Sequence, residues 1–288
     1  MAKIDEPGIY PDLPMADYVA DPCPDPSLSK GVIIDLVERS PMHAYHNHPR
    51  LGGGGDRGSN RADIGSASHA MLLGGDEAIL IVDAPDFRTK AAREARDEAR
   101  GSGRIPILQK DRKALDDMVG PARERLAEFG AGTTEQTVIW AEDGDPPIWG
   151  KARPDWLADD RRVIVDYKTA TNADPTKWIK SAMLPGGYDM QAAWYLRGLS
   201  NLLGPRDRDF LFLVQEIDPP FAVSVVGIGP ELAELSNRKI EAGIRLWREA
   251  LKSNHWRGYQ SVTHWAEAPA YMIYDWENRA AAYGEGEL

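Results

Sequence analysis

A single cysteine, Cys23, occurs in the 288 residues, and it sits between two prolines. No internal disulfide can form, and no cysteine cluster exists to hold zinc or an iron–sulfur centre. Long apolar runs are also missing. Nothing approaches the roughly 18 consecutive apolar residues that span a bilayer, which excludes a membrane-spanning helix. The opening, MAKIDEPGIYPDLPMADY, lacks a basic segment followed by an apolar one. No secretory leader is expected, and a reducing cytoplasm is the expected compartment. Basic charge is in deficit: 34 Lys and Arg face 45 Asp and Glu, a net charge of −11. That argues against a general nucleic-acid coat, but not against an enzyme acting on nucleic acid, where the charge of the groove outweighs the total. No internal repeat is visible.

What is present is an ordinary globular composition, 42% hydrophobic and 27% charged, on a chain long enough for a sizeable core. The first 26 residues are rich in Pro and Asp and predict an irregular arm. Ser27 and Ser29 cap a predicted helix through KGVIIDLVERSP, and HAYHNHPRLGGGGDRGSN reads as a flexible loop. IGSASHAMLLGG predicts a helix, AILIVDAP a strand, and KAAREARDEARGSGR a helix whose basic residues form a solvated face. KDRKALDDMVGPARERLAEFG predicts a helix with a break at Gly-Pro. EQTVIWAED and PPIWGKARPDWLAD predict an antiparallel pair around DGDPP, with RRVIVDYKTA as the third strand of the meander. The helix YDMQAAWYLRGLSNLLG, two strands in DFLFLVQEIDPPFAVSVVGIG and a long helix from Pro230 follow, then an irregular aromatic tail. This pattern predicts an α/β domain over residues 27–288 around a mixed sheet, with the arm at 1–26.

One strand is unusual. In VIVDYKTA, Val163, Val165 and Tyr167 share one face, while Ile164, Asp166 and Lys168 share the other. Opposite charges on an apolar strand are costly to bury unless paired or bound to something, so an ion pair and a site are both open readings. Asp155 follows Pro154 near the end of the preceding strand, and a hairpin can bring it to Asp166. Two adjacent carboxylates repel, and one holds its proton unless a hard divalent cation such as Mg2+ or Mn2+ is present. A neighbouring lysine can orient or deprotonate a water and neutralise charge on a phosphate.

Pro154-Asp155 followed by Asp166-Tyr167-Lys168 resembles the PD-(D/E)XK signature of a large nuclease superfamily. Gln191 and Tyr195, in QAAWY, match the Q-x-x-x-Y element of its RecB-like branch, and Gly65 and His69 match the G-x-x-x-H element. DPSLSKGVIIDLVERSPMHAYHN, DFRTKAAREARDEARGSGRIPIL and VQEIDPPFAVSVV extend the resemblance to RecE-like, exonuclease VIII-type phage recombination nucleases. The resemblance implies a restriction-endonuclease-like core, a mixed sheet flanked by helices. It implies two Mg2+ or Mn2+ ions, with His69, Asp155, Asp166, the main-chain carbonyl of Tyr167 and the acidic Glu135 as metal ligands. Lys168 would assist the attacking water, while Gln191 and Tyr195 would position the lysine or the DNA backbone. The implied activity is 5′-to-3′ exonuclease digestion of double-stranded DNA ends, leaving 3′ tails for a single-strand annealing recombinase in phage recombination. It further implies a homo-oligomeric ring in the host cytoplasm. An endonuclease with the same site, or a silent DNA-binding scaffold, are the alternatives. Asp166 stands where relatives often carry Glu, and the iron–sulfur cysteines of some relatives are absent.

Overall fold

The computed structural model describes residues 3–53 and 60–283. Two compact units divide the chain, residues 1–257 and 258–288. In the first, β1 (Gly8–Tyr10) and α1 (Met15–Val19) lie in the N-terminal arm, which the composition had suggested would be irregular. Helix α2 (Lys30–Ile34) widens into a π-type turn (Asp35–Arg39), and α3 (Pro41–Asn47) follows. The predicted glycine loop, residues 43–60, is helical over its first five residues, HAYHN, because Pro41 supplies a preset first turn, and its residues 54–59 fall outside the description.

The chain then runs through α4 (Asn60–Leu73), β2 (Ile79–Val82), α5 (Lys90–Gly101), β3 (Ile105–Leu108) and α6 (Gln109–Ala127). The expected break in α6 does not occur, and Pro121 lies inside the helix. Its missing N–H costs one bond to the Asp117 carbonyl, on an exposed turn where water can replace it. Buried Met118, Val119 and Ala122 supply the packing that holds the helix together.

β4 (Gly132–Thr134), β5 (Thr137–Glu142), β6 (Ile148–Ala152), β7 (Trp156–Ala158) and β8 (Val163–Ala170) come next. After α7 (Pro175–Trp178) and α8 (Tyr188–Leu203) come β9 (Asp209–Glu216), β10 (Val223–Gly227) and α9 (Pro230–Ser253). The predicted three-strand meander is divided between two sheets. β5 pairs with β1 on one side and β6 on the other, whereas β7 and β8 belong to a five-stranded sheet ordered β10-β9-β8-β7-β4. The division falls at Pro154, which cannot donate to a ladder, so one continuous strand becomes two. In the larger sheet β8 runs parallel to β9 and antiparallel to β7, making it mixed.

Alternate residues of this sheet feed two cores. Ile164, Phe210 and Phe212 join Trp140, Trp194 and Trp247 beneath α8 and α9. Val165, Tyr167 and Leu213 join Met71, Leu115 and Val119 beneath α4 and α6. Gly150 and Gly198 give way to Trp140: a Cβ on either would overlap its ring. The second unit contains α10 (Ala270–Tyr283), so the aromatic tail is helical over those residues rather than irregular. Among the described residues no helix is long and apolar enough to cross a membrane.

Candidate active site

The division at Pro154 creates the site. Trp156 pairs with Val165 and Leu157 with Ile164, so the antiparallel register places Asp155 opposite Asp166 where the ladder ends. There the Tyr167 N–H donates to Asp155 Oδ2 at 2.8 Å, so a side-chain carboxylate completes the strand pairing. The Asp155 main-chain carbonyl accepts from the Glu135 N–H at 3.1 Å, holding the residue just before β5. Glu135 has φ +57, a left-handed conformation costly for a residue with a Cβ, and it turns the carboxylate toward Asp155.

His69 closes this side from α4. Its Nε2 lies 3.1 Å from Asp155 Oδ1 and its Nδ1 3.6 Å from Glu135 Oε1. Gly65, one turn earlier, faces Thr169 of β8, whose Oγ1 would stand 3.1 Å from a Cβ there. The G-x-x-x-H element therefore has a steric meaning: glycine lets α4 approach the strand, and the histidine one turn on meets the carboxylates. Arg153 Nε donates to Glu135 Oε2 at 2.6 Å and its Nη1 to the Leu13 carbonyl at 2.8 Å, leaving Oε1 toward His69.

Asp166 faces the other way. It is buried, and its carboxylate is paired with the Lys168 ammonium and accepts from the Gln191 side-chain amide. Lys168 Nζ also sits 5.1 Å over the Tyr188 ring at the start of α8. Gln191 Oε1 accepts from Lys30 Nζ at 2.6 Å.

Charge separates the two aspartates. Burial pushes the Asp155 carboxyl up, but the His69 hydrogen bond and charge, with Lys168 and the Tyr167 N–H, hold it below the usual range. Asp166 is raised, first by burial and then by the Asp155 charge, against Lys168 and Lys30. Burial also opposes the His69 and Lys168 cations, yet their carboxylate neighbours hold both above their ordinary values. Lys168 is thus favoured as the ammonium by the carboxylates beside it. Lys30 is drawn down to about 8 by burial and by Lys168.

His69, Glu135 and Asp155 each offer a ligand atom within 4.8 Å of the others. One imidazole and two carboxylates suit Mg2+ or Mn2+, the nitrogen favouring Mn2+. The structure brings these three together; Asp166 stands beside them, tied to Lys168 and Gln191. The Tyr167 ring lies on the face of β8 opposite Asp166, 6.4 Å from the His69 ring, and its hydroxyl donates to Gln215 Oε1 at 2.6 Å. Gln191 and Tyr195 share a face of α8 but are buried, Tyr195 edge-on to Phe210 at 5.8 Å. The open cleft, about 1420 Å3, is instead lined by His69, Glu135, Arg153, Lys168 and Tyr188, with Pro11, Asp12 and Met15 of the arm on one side.

Lys30, Arg153 and Tyr188 were absent from the sequence-predicted site. Arg153 and Tyr188 lie one and three residues from motif positions, a proximity that could have flagged them. Lys30 lies in the DPSLSKGVIIDLVERSPMHAYHN block of the resemblance, but at 161 residues from its partner no spacing rule ties it to the site.

A mixed sheet with carboxylates and a lysine at the end of a broken strand pair, and a helical histidine above them, defines a PD-(D/E)XK-type nuclease fold. The family described as "PDDEXK-like domain of unknown function" (DUF3799) matches residues 63–262, and the chain belongs to it. In fold the chain is similar to a candidate exonuclease from Eubacterium rectale, with a TM-score of 0.58 at 13% identity over 86% of this chain and 92% of that one. An alkaline exonuclease from Laribacter hongkongensis overlaps less, with a TM-score of 0.29 at 16% identity over 66% of this chain and 97% of that one. Among curated proteins none matches.

Proposed function

We propose that the chain is a divalent-metal-dependent deoxyribonuclease that hydrolyses duplex DNA from its ends. The observation that carries this reading is the convergence of His69, Glu135 and Asp155 within 4.8 Å, beside the Asp166–Lys168 pair. Those three residues would hold Mg2+ or Mn2+, with Asp166 and the Tyr167 main-chain carbonyl as further ligands from the strand beside them. Such a cation supplies charge neutralisation at the scissile phosphate and acidifies water. Arg153 holds Glu135 so that one carboxylate oxygen stays free for the cation. The Lys168 ammonium, set between Asp166 and the Tyr188 ring, donates to the attacking water and opposes charge building on the phosphate. Gln191 holds Asp166, and Tyr195 packs behind it.

Exonuclease action, 5′-to-3′ polarity, 3′-tailed products for a single-strand annealing recombinase, and a homo-oligomeric ring rest on the RecE-like motifs. The test is digestion of end-labelled linear duplexes with 5′ or 3′ overhangs beside closed circular DNA, in Mg2+ and in EDTA. Loss of linear substrate from the 5′ end, with circles intact, is expected. Cleavage of closed circles would make the protein an endonuclease, and digestion in EDTA would remove the metal from the reading.

A further inference from the structure

Asp166 owes its setting to a residue outside the segment that matches the family. Lys30, the first residue of α2, donates from Nζ to Gln191 Oε1 at 2.6 Å. Gln191 is fully buried, and its other end, Nε2, donates to Asp166 Oδ2. Asp166 Oδ1 is held by Lys168. The result is a line of four side chains from the N-terminal helix to the lysine facing the cleft.

The two ends of a glutamine amide are almost the same size, so shape does not choose which one meets Asp166. Partner chemistry does. An ammonium can only donate, so the end facing Lys30 must be the oxygen, and the NH2 is left to the carboxylate. Without Lys30 the Gln191 oxygen becomes a buried acceptor with no donor, and the amide loses the anchor at its far end. Lys30 itself is held in place from behind. The Leu28 N–H donates to the Trp149 carbonyl and the Leu28 carbonyl accepts from the Lys151 N–H, both at 2.8 Å, and Leu28 and Ile33 are fully buried.

We propose that Lys30 is a positioning residue of the active site. It fixes the Gln191 amide with its NH2 toward Asp166, and so fixes the Asp166 carboxylate that holds Lys168. The catalytic consequence rests on the nuclease reading; the orientation of the amide does not.

The experiment compares wild type with Lys30→Met, Lys30→Arg, Gln191→Met and the Lys30→Met/Gln191→Met double variant. In 15N-labelled protein, the side-chain amide pair lost in Gln191→Met identifies Gln191. A pair protected from solvent exchange is expected in wild type and Lys30→Arg, and a shifted or fast-exchanging pair in Lys30→Met. With linear duplex DNA, Lys30→Met is expected to lower kcat about 10- to 100-fold, as loss of an outer support does, with KM for DNA within about twofold. Lys30→Arg restores most of the rate, and the double variant is no slower than Gln191→Met, since the two residues act in series. An unchanged Gln191 pair in Lys30→Met overturns the proposal, whatever the activity. If Lys30→Met does not fold, a Lys30→Arg protein that folds but has lost the protected pair overturns it equally. A raised KM with unchanged kcat and a shallower salt dependence also overturns it, because Lys30 would then contact DNA directly. A wild type inert on DNA whose Gln191 pair is protected, and released in Lys30→Met, refutes the nuclease reading and leaves the amide lock standing.

Discussion

Metal binding to the His69, Glu135 and Asp155 cluster is measurable without any substrate. These ligand atoms lie within 4.8 Å of one another in the folded chain, whereas the unfolded chain scatters residues 69, 135 and 155. A cation that binds only the folded state stabilises it by mass action. At about 100 times the dissociation constant, that contribution is about 2.7 kcal/mol. For a chain of this size each kcal/mol moves Tm by about 2–4 °C, so saturating Mn2+ or Mg2+ raises Tm by about 5–10 °C. Asp155→Asn removes the carboxylate that faces His69 at 3.1 Å and so removes most of that response. Its effect on the metal-free protein is smaller, because two terms oppose each other. The His69 pair is lost, with side chains only 30% and 16% exposed, but so is the charge that pushes Asp166 up. The variant stays within about 1–2 kcal/mol of wild type without metal. Thermal unfolding in EDTA and across a metal titration at constant ionic strength reads both quantities. An equal rise in wild type and Asp155→Asn would place the metal elsewhere, and no rise in wild type would leave the cluster without a ligand.

Asp166→Ala is expected to abolish Mg2+-dependent digestion of linear duplex DNA while circular dichroism stays native; persisting activity would sink the mechanism. Glu142 tests stability against pH. Arg197 and the Trp140 N–H overcome burial and hold its carboxyl below the usual range, so its contribution is present above the ordinary carboxylate pKa and is lost as pH falls through the depressed one. Glu142→Gln should therefore cost about 2 kcal/mol near neutrality and much less in acid, measured by urea unfolding at each pH. Gly198→Ala sets helix propensity against packing. The substitution gains about 1 kcal/mol of propensity, but the new Cβ stands 2.6 Å from Cζ3 of the fully buried Trp140. Overpacking costs about 1–3 kcal/mol, so the variant unfolds at lower denaturant than wild type.

Residue chemistry and spacing marked Asp155, Asp166 and Lys168 as either a site or an ion pair, and only the resemblance to the RecB-like branch joined His69 to them. Metal and phosphate chemistry restricts which side chains can serve, and strand or helix periodicity assigns each a face. The alternation in VIVDYKTA assigned the two faces of β8, which pack into different cores, because side-chain direction along a strand is a local property. Where the chain would cross from one sheet to the next was not local. Pro154 reads equally well as a blemish in one strand or a boundary between two, and only the pairing of β6 with β5 and of β7 with β8 decides it. The same holds for α6, where burial of Met118, Val119 and Ala122 overrides the Gly-Pro signal.

Within the site, the sequence by itself determined the kinds of group present and the faces they occupy. Only the tertiary structure decided their partners. It gathers His69 with Glu135 and Asp155, turns Asp166 to Lys168 and Gln191, and brings Lys30 across 161 positions to the far end of the glutamine. Hydrogen-bond partners are chosen by distances between elements, and packing of α2, α4 and α8 around β8 sets those distances. No local pattern encodes them.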